Sequence, residues 1–426
     1  MHLPVLSLFL VATLTMPAAT ARAQSMDAAA EQYVRLVLAL GEHDSGYVDA
    51  YYGPPAWREA AAQQPLTLAT IQRSAQQLRQ LLPATKDNSA LSNARVHYLR
   101  TQLGALAAYA EIRQGKVPRD FDHEARVLYD TAPPQRSLDS FAPVLARLNQ
   151  LLPGEGPLYR RIDTFQRQFD IPHDRLSAVF DAAIAACRER TLPHITLPAG
   201  ESFRLEYVTD KPWSGYNWYE GKAHSLIQVN TSLPVRIDRA IDLGCHESYP
   251  GHHVYNSLLE AEFVRKRGWV ELSVYPLFSP QSLIAEGSAN YGIELAFPGE
   301  EKLRFEREVL YPLAGLDPAS AARYDEVQTL TRELSYARNE IARQYLNGDI
   351  DREQAVALAQ TYGPTSRERA EQSIRFIDSY GANVINYNWG MALVKQYVET
   401  GTDDPEQRWR KFADLLASPR LPSSLQ

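Results

Sequence analysis

Three histidines and a carboxylate lie within eight residues in the segment 246–253, which reads His-Glu-Ser-Tyr-Pro-Gly-His-His. The whole chain of 426 residues has only ten histidines, so this cluster stands apart from the rest of the sequence. Imidazole and carboxylate groups are the usual ligands of zinc in enzymes. A further carboxylate, Glu286, lies in the segment 285–291, Ala-Glu-Gly-Ser-Ala-Asn-Tyr. We expect the two segments to meet and to bind one zinc ion, with the rest of the chain forming a cleft around it.

The spacing of these histidines differs from the common helical zinc motif, in which the two histidines are four residues apart on one face. Pro250 stands four residues after His246, and the next histidines are His252 and His253. On a regular helix His252 would face about 240° away from His246, and His253 would lie about 10.5 Å along the axis. Pro250 breaks a helical hydrogen bond and Gly251 tolerates an unusual backbone, which predicts a bulge of about two residues. The bulge would make His252 the ligand; His253 is the alternative ligand, or else lies behind the metal or faces substrate.

Two histidines and Glu286 suit a catalytic zinc ion, which takes three protein ligands and leaves one position open for water. The metal lowers the pKa of that water, and Glu247 is placed to accept the proton as general base. The same carboxylate would pass the proton to a leaving amine. This chemistry predicts the hydrolysis of a peptide or a small amide, with a tyrosine or histidine from elsewhere stabilising the oxyanion.

The two motifs resemble those of the bacterial DUF885 family, which carries HExxPGHH followed by EGxAxY and is considered related to gluzincin-type zinc metallopeptidases. Weaker similarities follow the family's order at 229–231, 351–355, 375–377 and 387–390. The resemblance implies a mainly α, zinc-metallopeptidase-like fold. It also implies one zinc ion on His246, His252 and Glu286, with Glu247 as base.

Three further residues take predicted roles from this resemblance. Tyr387 would be the oxyanion donor, and Arg375 would hold a substrate carboxylate, as a carboxypeptidase requires. Asn230, in the Asn-Thr that matches the family, is predicted to bind substrate. A different class of function also remains open: a non-catalytic periplasmic binding or interaction protein that retains the metal site.

The first 23 residues are predicted to be a cleavable signal peptide, with an apolar run at 3–16 and a small-residue cleavage site after Ala23. A retained N-terminal anchor helix is the alternative. The remaining chain, 24–426, would be periplasmic or secreted and would have no stable association with a membrane. The net charge of −7 and the lack of basic clusters argue against nucleic acid as a partner.

The chain has two cysteines, Cys187 and Cys245. We interpret Cys245 as a small buried residue, with a disulfide to Cys187 as the first alternative and metal ligation as the last. Two cysteines do not make a disulfide framework in a chain of this length. Stability is therefore expected to come from a large apolar core.

Apolar residues recur at helical spacing over most of the chain, which predicts a single helical domain of two lobes around the cleft. Between 195 and 230 the pattern changes to β-branched and aromatic residues and predicts a small antiparallel sheet next to the metal-bearing helix. The strand 225–230 could present an edge to an extended peptide, or could belong to an ordinary sheet. The tyrosine-rich loop 43–55 is either packed internally or a wall of the cleft.

Overall fold

The computed structural model describes residues 25–83, 89–211 and 213–426. The predicted signal peptide and its cleavage site lie outside these residues. Helices make up most of the described chain, so the prediction of a mainly α fold is confirmed. Among the described residues, no helix has both the length and the apolar character needed to cross a membrane.

The α-helices of the described residues are, in chain order, α1 (Met26–Gly41), α2 (Pro55–Gln63), α3 (Leu68–Leu81), α4 (Ala90–Arg113), α5 (Phe121–Tyr129), α6 (Ala142–Leu151), α7 (Leu158–Gln166), α8 (Leu176–Thr191), α9 (Asp238–Glu247), α10 (His252–Leu259), α11 (Pro280–Ala296), α12 (Glu301–Phe305), α13 (Tyr311–Ala314), α14 (Ala321–Asn347), α15 (Arg352–Tyr362), α16 (Arg367–Tyr380), α17 (Ile385–Glu399) and α18 (Pro405–Leu416). The strands are β1 (Val48–Tyr51), β2 (Ser202–Val208), β3 (Gly215–Gly221), β4 (His224–Asn230) and β5 (Val274–Pro276).

The three-stranded sheet has the order β2-β4-β3 and lies next to α9 and α10. A tight turn at Lys222 and Ala223, both with φ of 58°, joins β3 to β4 and makes this pair antiparallel. The pair β2–β4 is parallel, so the prediction of an antiparallel sheet is correct only for one of its two pairings. Because β4 is central, the strand that we considered as a peptide-binding edge has both edges paired. The edge strand beside α9 and α10 is β3.

The predicted loop 43–55 contains β1, which pairs with the short strand β5. Its tyrosines are packed: the Tyr47 ring is buried and stacks on Tyr109 at 5.0 Å, and the Tyr52 hydroxyl donates to the Leu272 carbonyl. Asp49 nevertheless lines the main cavity. The loop is therefore packed internally at Tyr47 and Tyr52 and contributes to the cavity wall at Asp49.

Two central helices, α11 and α17, pack closely because glycines stand at their crossing. A Cβ atom on Gly287 would lie 2.4 Å from the carbonyl carbon of Gly390, so only glycine fits there. The start of α11 is fixed by the Ser279 side chain, which accepts from the Ser282 N–H, and by Pro280 in its first turn. This packing holds Glu286 of α11 and Tyr387 of α17 on neighbouring elements. One hydrophobic cluster extends from Ala29 to Leu425; the division into two lobes stays a prediction.

A disulfide joins Cys187 of α8 to Cys245 of α9, whose Cα atoms are 5.6 Å apart. Our preferred interpretation of Cys245 as an unpaired buried residue was wrong, and the first alternative is the one the fold adopts. The physical reason is the side-by-side packing of α8 on α9, which brings together two residues 58 positions apart.

Removing this disulfide is expected to lower the free energy of unfolding by about 2–4 kcal/mol, since the unfolded chain loses the constraint of a closed loop. The test compares urea unfolding of the wild type with the double variant Cys187→Ala, Cys245→Ala. Reduced wild-type protein should show a loss of similar size. A double variant as stable as the oxidised wild type would contradict the stabilising role.

Candidate metal centre

The segment that carries the two candidate histidine ligands is interrupted between α9 and α10. Helix α9 ends at Glu247, residues 248–251 leave the helical conformation, and α10 begins at His252. The predicted bulge of about two residues is therefore too short. A Cβ atom on Gly251 would lie 1.8 Å from the carbonyl oxygen of His246, so this close approach requires glycine. The break brings His252 back towards His246 across the sequence Tyr-Pro-Gly.

Three side chains converge at this break, as we predicted. The Nε2 atoms of His246 and His252 are 3.0 Å apart, and Glu286 Oε2 lies 3.3 Å from His246 Nε2. Glu286 Oε1 is 3.7 Å from His252 Nε2. The potential ligand atoms of the three residues all lie within 4.8 Å of one another. Two histidines from the α9–α10 segment and one glutamate from α11 thus supply a compact set of two nitrogens and a carboxylate.

The chemistry of this donor set fits a metal ion. Glu286 Oε2 is buried and, apart from its 3.3 Å contact with His246 Nε2, has no hydrogen-bond partner among the described residues, as expected of an atom whose partner is a cation. Burial lowers the pKa of His252 to about 4, which keeps its imidazole neutral and able to ligate. Burial by itself would raise the pKa of Glu286, but His246 and His252 outweigh it and hold the carboxylate ionised. Two imidazoles and one carboxylate are the ligand set of a common class of catalytic zinc sites.

Asn290, one turn after Glu286 on α11, orients the first histidine. Its Oδ1 lies 3.1 Å from His246 Nδ1, while its Nδ2 donates to the Tyr387 carbonyl at 3.1 Å. Because Nδ2 is committed to a carbonyl, Oδ1 must accept from the Nδ1–H of His246. With Nδ1–H engaged in this way, Nε2 is the ring nitrogen that faces a cation. Burial by itself would lower the pKa of His246, but the Glu286 hydrogen bond and the charges of Glu247 and Glu286 raise it to about 9, so a bound metal would take the place of the Nε2 proton. The sequence contained Asn290 in its second motif, but its role was not predicted.

Replacing Asn290 by leucine is expected to weaken zinc binding by roughly 10–100-fold, because His246 loses the partner that fixes its tautomer and ring orientation. Competition with a chromogenic chelator measures this affinity. Glu294→Gln is the matched control on α11, since Glu294 pairs with Lys395 at 2.6 Å. Unchanged affinity in Asn290→Leu would remove Asn290 from the site.

Glu247 lies beside the three converging residues; strand β3 holds its backbone and passes close to its carboxylate. Its carbonyl accepts from Asn217 Nδ2 at 2.7 Å, and a Cβ atom on Gly215 would be 3.1 Å from its Oε1. The residue is buried but lines the cavity. Burial raises the pKa of Glu247 to about 7, with the charge of His246 opposing the shift and that of Glu286 adding to it. A carboxylate with this pKa suits proton transfer near neutral pH.

The three donor residues form part of the wall of a cavity of about 790 Å³. Tyr387 and Arg375, both predicted from the resemblance, line the same cavity. The charge of Glu286 raises the pKa of Tyr387 above its usual value, so the phenol stays protonated although the residue as a whole is 43% exposed. The Arg375 guanidinium has no ion pair among the described residues and is free to meet a ligand anion.

Asp49 and Tyr216 are cavity residues that the sequence analysis did not predict. Asp49 comes from β1 and accepts a hydrogen bond from the Tyr216 hydroxyl of β3. Burial raises the pKa of Asp49 to about 7, with the Tyr216 hydrogen bond opposing this shift. Only the unusual composition of the loop 43–55 pointed towards Asp49, and nothing in the sequence singled out Tyr216.

Two other predicted substrate-binding residues lie elsewhere. His253 is fully buried; its Nδ1 lies 2.8 Å from Ser225 Oγ and its Nε2 3.0 Å from Glu201 Oε2. The structure does not bring His253 to the cleft, because the first turn of α10 points adjacent side chains in different directions. Asn230 does not line the main cavity; its Nδ2 donates to the carbonyls of Lys211 and Trp213 and fixes the loop before β3.

No family profile and no curated protein matches this chain. Two solved structures are similar in fold. A protein from Colwellia psychrerythraea, described as a candidate lipoprotein, matches with a TM-score of 0.53 and 15% identity over 94% of this chain and 75% of its own. A candidate lipoprotein of unknown function from Shewanella oneidensis gives a TM-score of 0.46 and 12% identity over 94% of this chain and 87% of its own. At these identities the comparison with the Colwellia protein concerns the fold alone, and the weaker match adds nothing to it.

Proposed function

We propose that this protein is an exported zinc-dependent hydrolase that cleaves peptides. The observation that carries the proposal is the convergence of His246, His252 and Glu286 within 4.8 Å at the wall of a large cavity, next to Glu247. A zinc ion held by these three residues would supply polarisation of a water molecule and of the scissile carbonyl. The DUF885 resemblance points to the same chemistry.

Glu247 and Tyr387 have separate roles in the proposed reaction: Glu247 transfers protons, and Tyr387 donates a hydrogen bond. Glu247 is held beside the cavity by β3 and is not one of the three converging donors, so its carboxylate is free to accept a proton from the attacking water. It can return that proton to the departing amine. Tyr387 keeps its phenolic proton, because the Glu286 charge raises its pKa, and can donate to a developing oxyanion.

The lining of the cavity favours a peptide substrate. Strand β3 pairs on one side with β4, and its residues Gly215, Tyr216 and Asn217 line the cavity on the way to Glu247. An edge strand in this position can bind an extended peptide through main-chain hydrogen bonds. The free guanidinium of Arg375 on another wall suits the terminal carboxylate of a peptide, as a carboxypeptidase requires.

Export is supported by the disulfide between Cys187 and Cys245, since disulfides persist in oxidising compartments such as the periplasm. The predicted signal peptide points to the same compartment. The description of the Colwellia protein as a candidate lipoprotein is in line with an exported chain.

The deciding experiment couples a zinc assay to a peptide-library digest of the chain 24–426. We expect about one zinc ion per chain and cleavage that a chelator abolishes and added zinc restores. Peptides with free and amidated carboxyl termini separate a carboxypeptidase, which needs the free terminus, from an endopeptidase. Zinc binding without any turnover would favour the non-catalytic binding protein instead.

A further inference from the structure

A second cavity lies between α14, α15 and α16 and shares no lining residue with the main cavity. Its volume is about 260 Å³. Sites for drug-sized ligands usually measure about 300–1,000 Å³, so this cavity suits a smaller molecule. The charged residues that line it are Arg338 and Arg369, and none of its described lining residues is acidic.

Arg338 is a half-buried cation that forms no ion pair with any described residue. Its Nε is buried and has no hydrogen-bond partner among the described residues, and its guanidinium lies 4.6 Å from the centre of the Phe376 ring. Burial lowers the pKa of Arg338, and the titratable group that acts on it, the Tyr387 phenol, stays protonated and uncharged. Buried polar atoms of charged groups are normally hydrogen-bonded, so the buried Nε of Arg338 lacks an acceptor, and the acceptor that best suits a guanidinium is an anion.

Arg369 brings a second free cation to the mouth of this cavity. Its side chain forms no ion pair with any described residue, whereas Arg367 on the same helix pairs with Glu353 and Glu371 at 2.7 and 2.9 Å. Acidic partners are therefore available on α15 and α16, but they are bound to Arg367. The cavity is left with two unneutralised guanidinium groups.

The rest of the lining identifies the kind of anion. Hydroxyl groups and apolar side chains surround the two arginines: Thr331, Ser335, Thr365 and Ser373, together with Leu334, Ile341, Ile374 and Ile377. A bare inorganic anion would leave the apolar surface unused, and a neutral apolar molecule would leave Arg338 unpaired. We propose that this cavity is a binding site for a small organic carboxylate with a short apolar chain. Its carboxylate meets Arg338 and Arg369, and its chain packs on the leucine and isoleucines.

This site is independent of the proposed hydrolase activity, because none of its lining residues belongs to the metal centre or the main cavity. It is nevertheless adjacent to the main cavity. Phe376, on which Arg338 stacks, lines the main cavity from the other face of α16. The ligand would therefore bind behind one wall of the cleft.

The test measures the binding of sodium hexanoate to the metal-free chain 24–426 by calorimetry, with thermal unfolding as a second readout, at constant ionic strength. We expect saturable binding that raises the Tm of the wild type. Arg338→Met and Arg369→Met should each weaken it by about 10–100-fold, the effect of losing a hydrogen bond to a charged group. Arg367→Met, on the same helix but outside the cavity, should bind as the wild type does.

Hexan-1-ol and inorganic phosphate serve as ligand controls, one without the charge and one without the chain. Both should bind more weakly than hexanoate. Hexanoate affinity that is unchanged in both cavity variants would overturn the site. Phosphate or hexanol binding as tightly as hexanoate would overturn the assignment to organic carboxylates. Because Arg369 is exposed, its variant keeps the test decisive even if Arg338→Met fails to fold.

Discussion

Replacing Glu247 by glutamine should lower peptide turnover by roughly 10²–10⁴-fold, the usual contribution of a general base, while leaving zinc binding unchanged. Glutamine keeps the shape of the side chain and its packing against β3 but cannot accept the proton of the attacking water. Zinc should stay, because the converging donors are His246, His252 and Glu286 and do not include Glu247. The measurement pairs kcat on a cleavable peptide with zinc content per chain.

A surface variant, Glu262→Gln, controls for the loss of one carboxylate. Glu262 lies in the segment just after α10 and pairs with Lys266 at 3.0 Å, and its variant should keep full turnover. A Glu247→Gln protein that hydrolyses peptides at the wild-type rate would remove Glu247 from the reaction. Loss of both turnover and zinc would instead show that Glu247 supports the metal centre.

The convergence of His246, His252 and Glu286 was predictable from the sequence because these residues are concentrated in two short segments. Pro250 with Gly251 indicated that the helix could not run regularly between the two histidines. The length of the break was not predictable. It depends on how closely the Gly251 backbone packs on the His246 carbonyl, which no periodicity reports.

The surroundings of the metal centre were harder to predict, since they come from distant parts of the chain. Asp49 and Tyr216 meet across 167 positions, and each looks like an ordinary residue of a loop or strand in its local context. The disulfide had the same difficulty: its two cysteines are 58 positions apart and depend on the packing of α8 against α9. Pairing of this kind follows from tertiary structure and leaves little trace in local sequence.

The residues whose predicted roles came from the resemblance lie in different places. Arg375, predicted to bind substrate, and Tyr387, predicted as oxyanion donor, line the main cavity, whereas Asn230 fixes a loop through two carbonyls. An Asn-Thr pair before a helix carries no information about where the amide points. Asn230 is the last residue of β4, and the direction of its side chain follows from the position of β4 between β2 and β3.

His253 supports the site from behind. Burial by itself would raise the pKa of Glu201, but hydrogen bonds from His253, Tyr249 and Arg188 outweigh burial and lower that pKa to about 2. Through Glu201 and Ser225, His253 ties α10 to the segment before β2 and to β4. The adjacent histidines thus have separate tasks, one in the cluster of donors and one in the packing behind it.

Glutamine substitutions of the two adjacent histidines should therefore have different effects: one should weaken zinc binding, and the other should lower the free energy of unfolding. His252→Gln removes one of the three proposed ligands and should weaken zinc binding by more than roughly 100-fold. That figure is the upper range for losing a residue that only orients a ligand, as Asn290 does. The metal-free His252→Gln protein should unfold at nearly the same urea concentration as the metal-free wild type.

His253→Gln should keep zinc within a few-fold of the wild type and instead lower the free energy of unfolding by about 1–3 kcal/mol. The reason is that Ser225 and Glu201 lose a well-placed buried partner, while the donor set of His246, His252 and Glu286 stays complete. Chelator competition and urea unfolding of both metal-free variants measure the two effects separately. Zinc lost in His253→Gln but kept in His252→Gln would reverse the assignment, because the imidazole that ligates must be the one whose removal costs the metal.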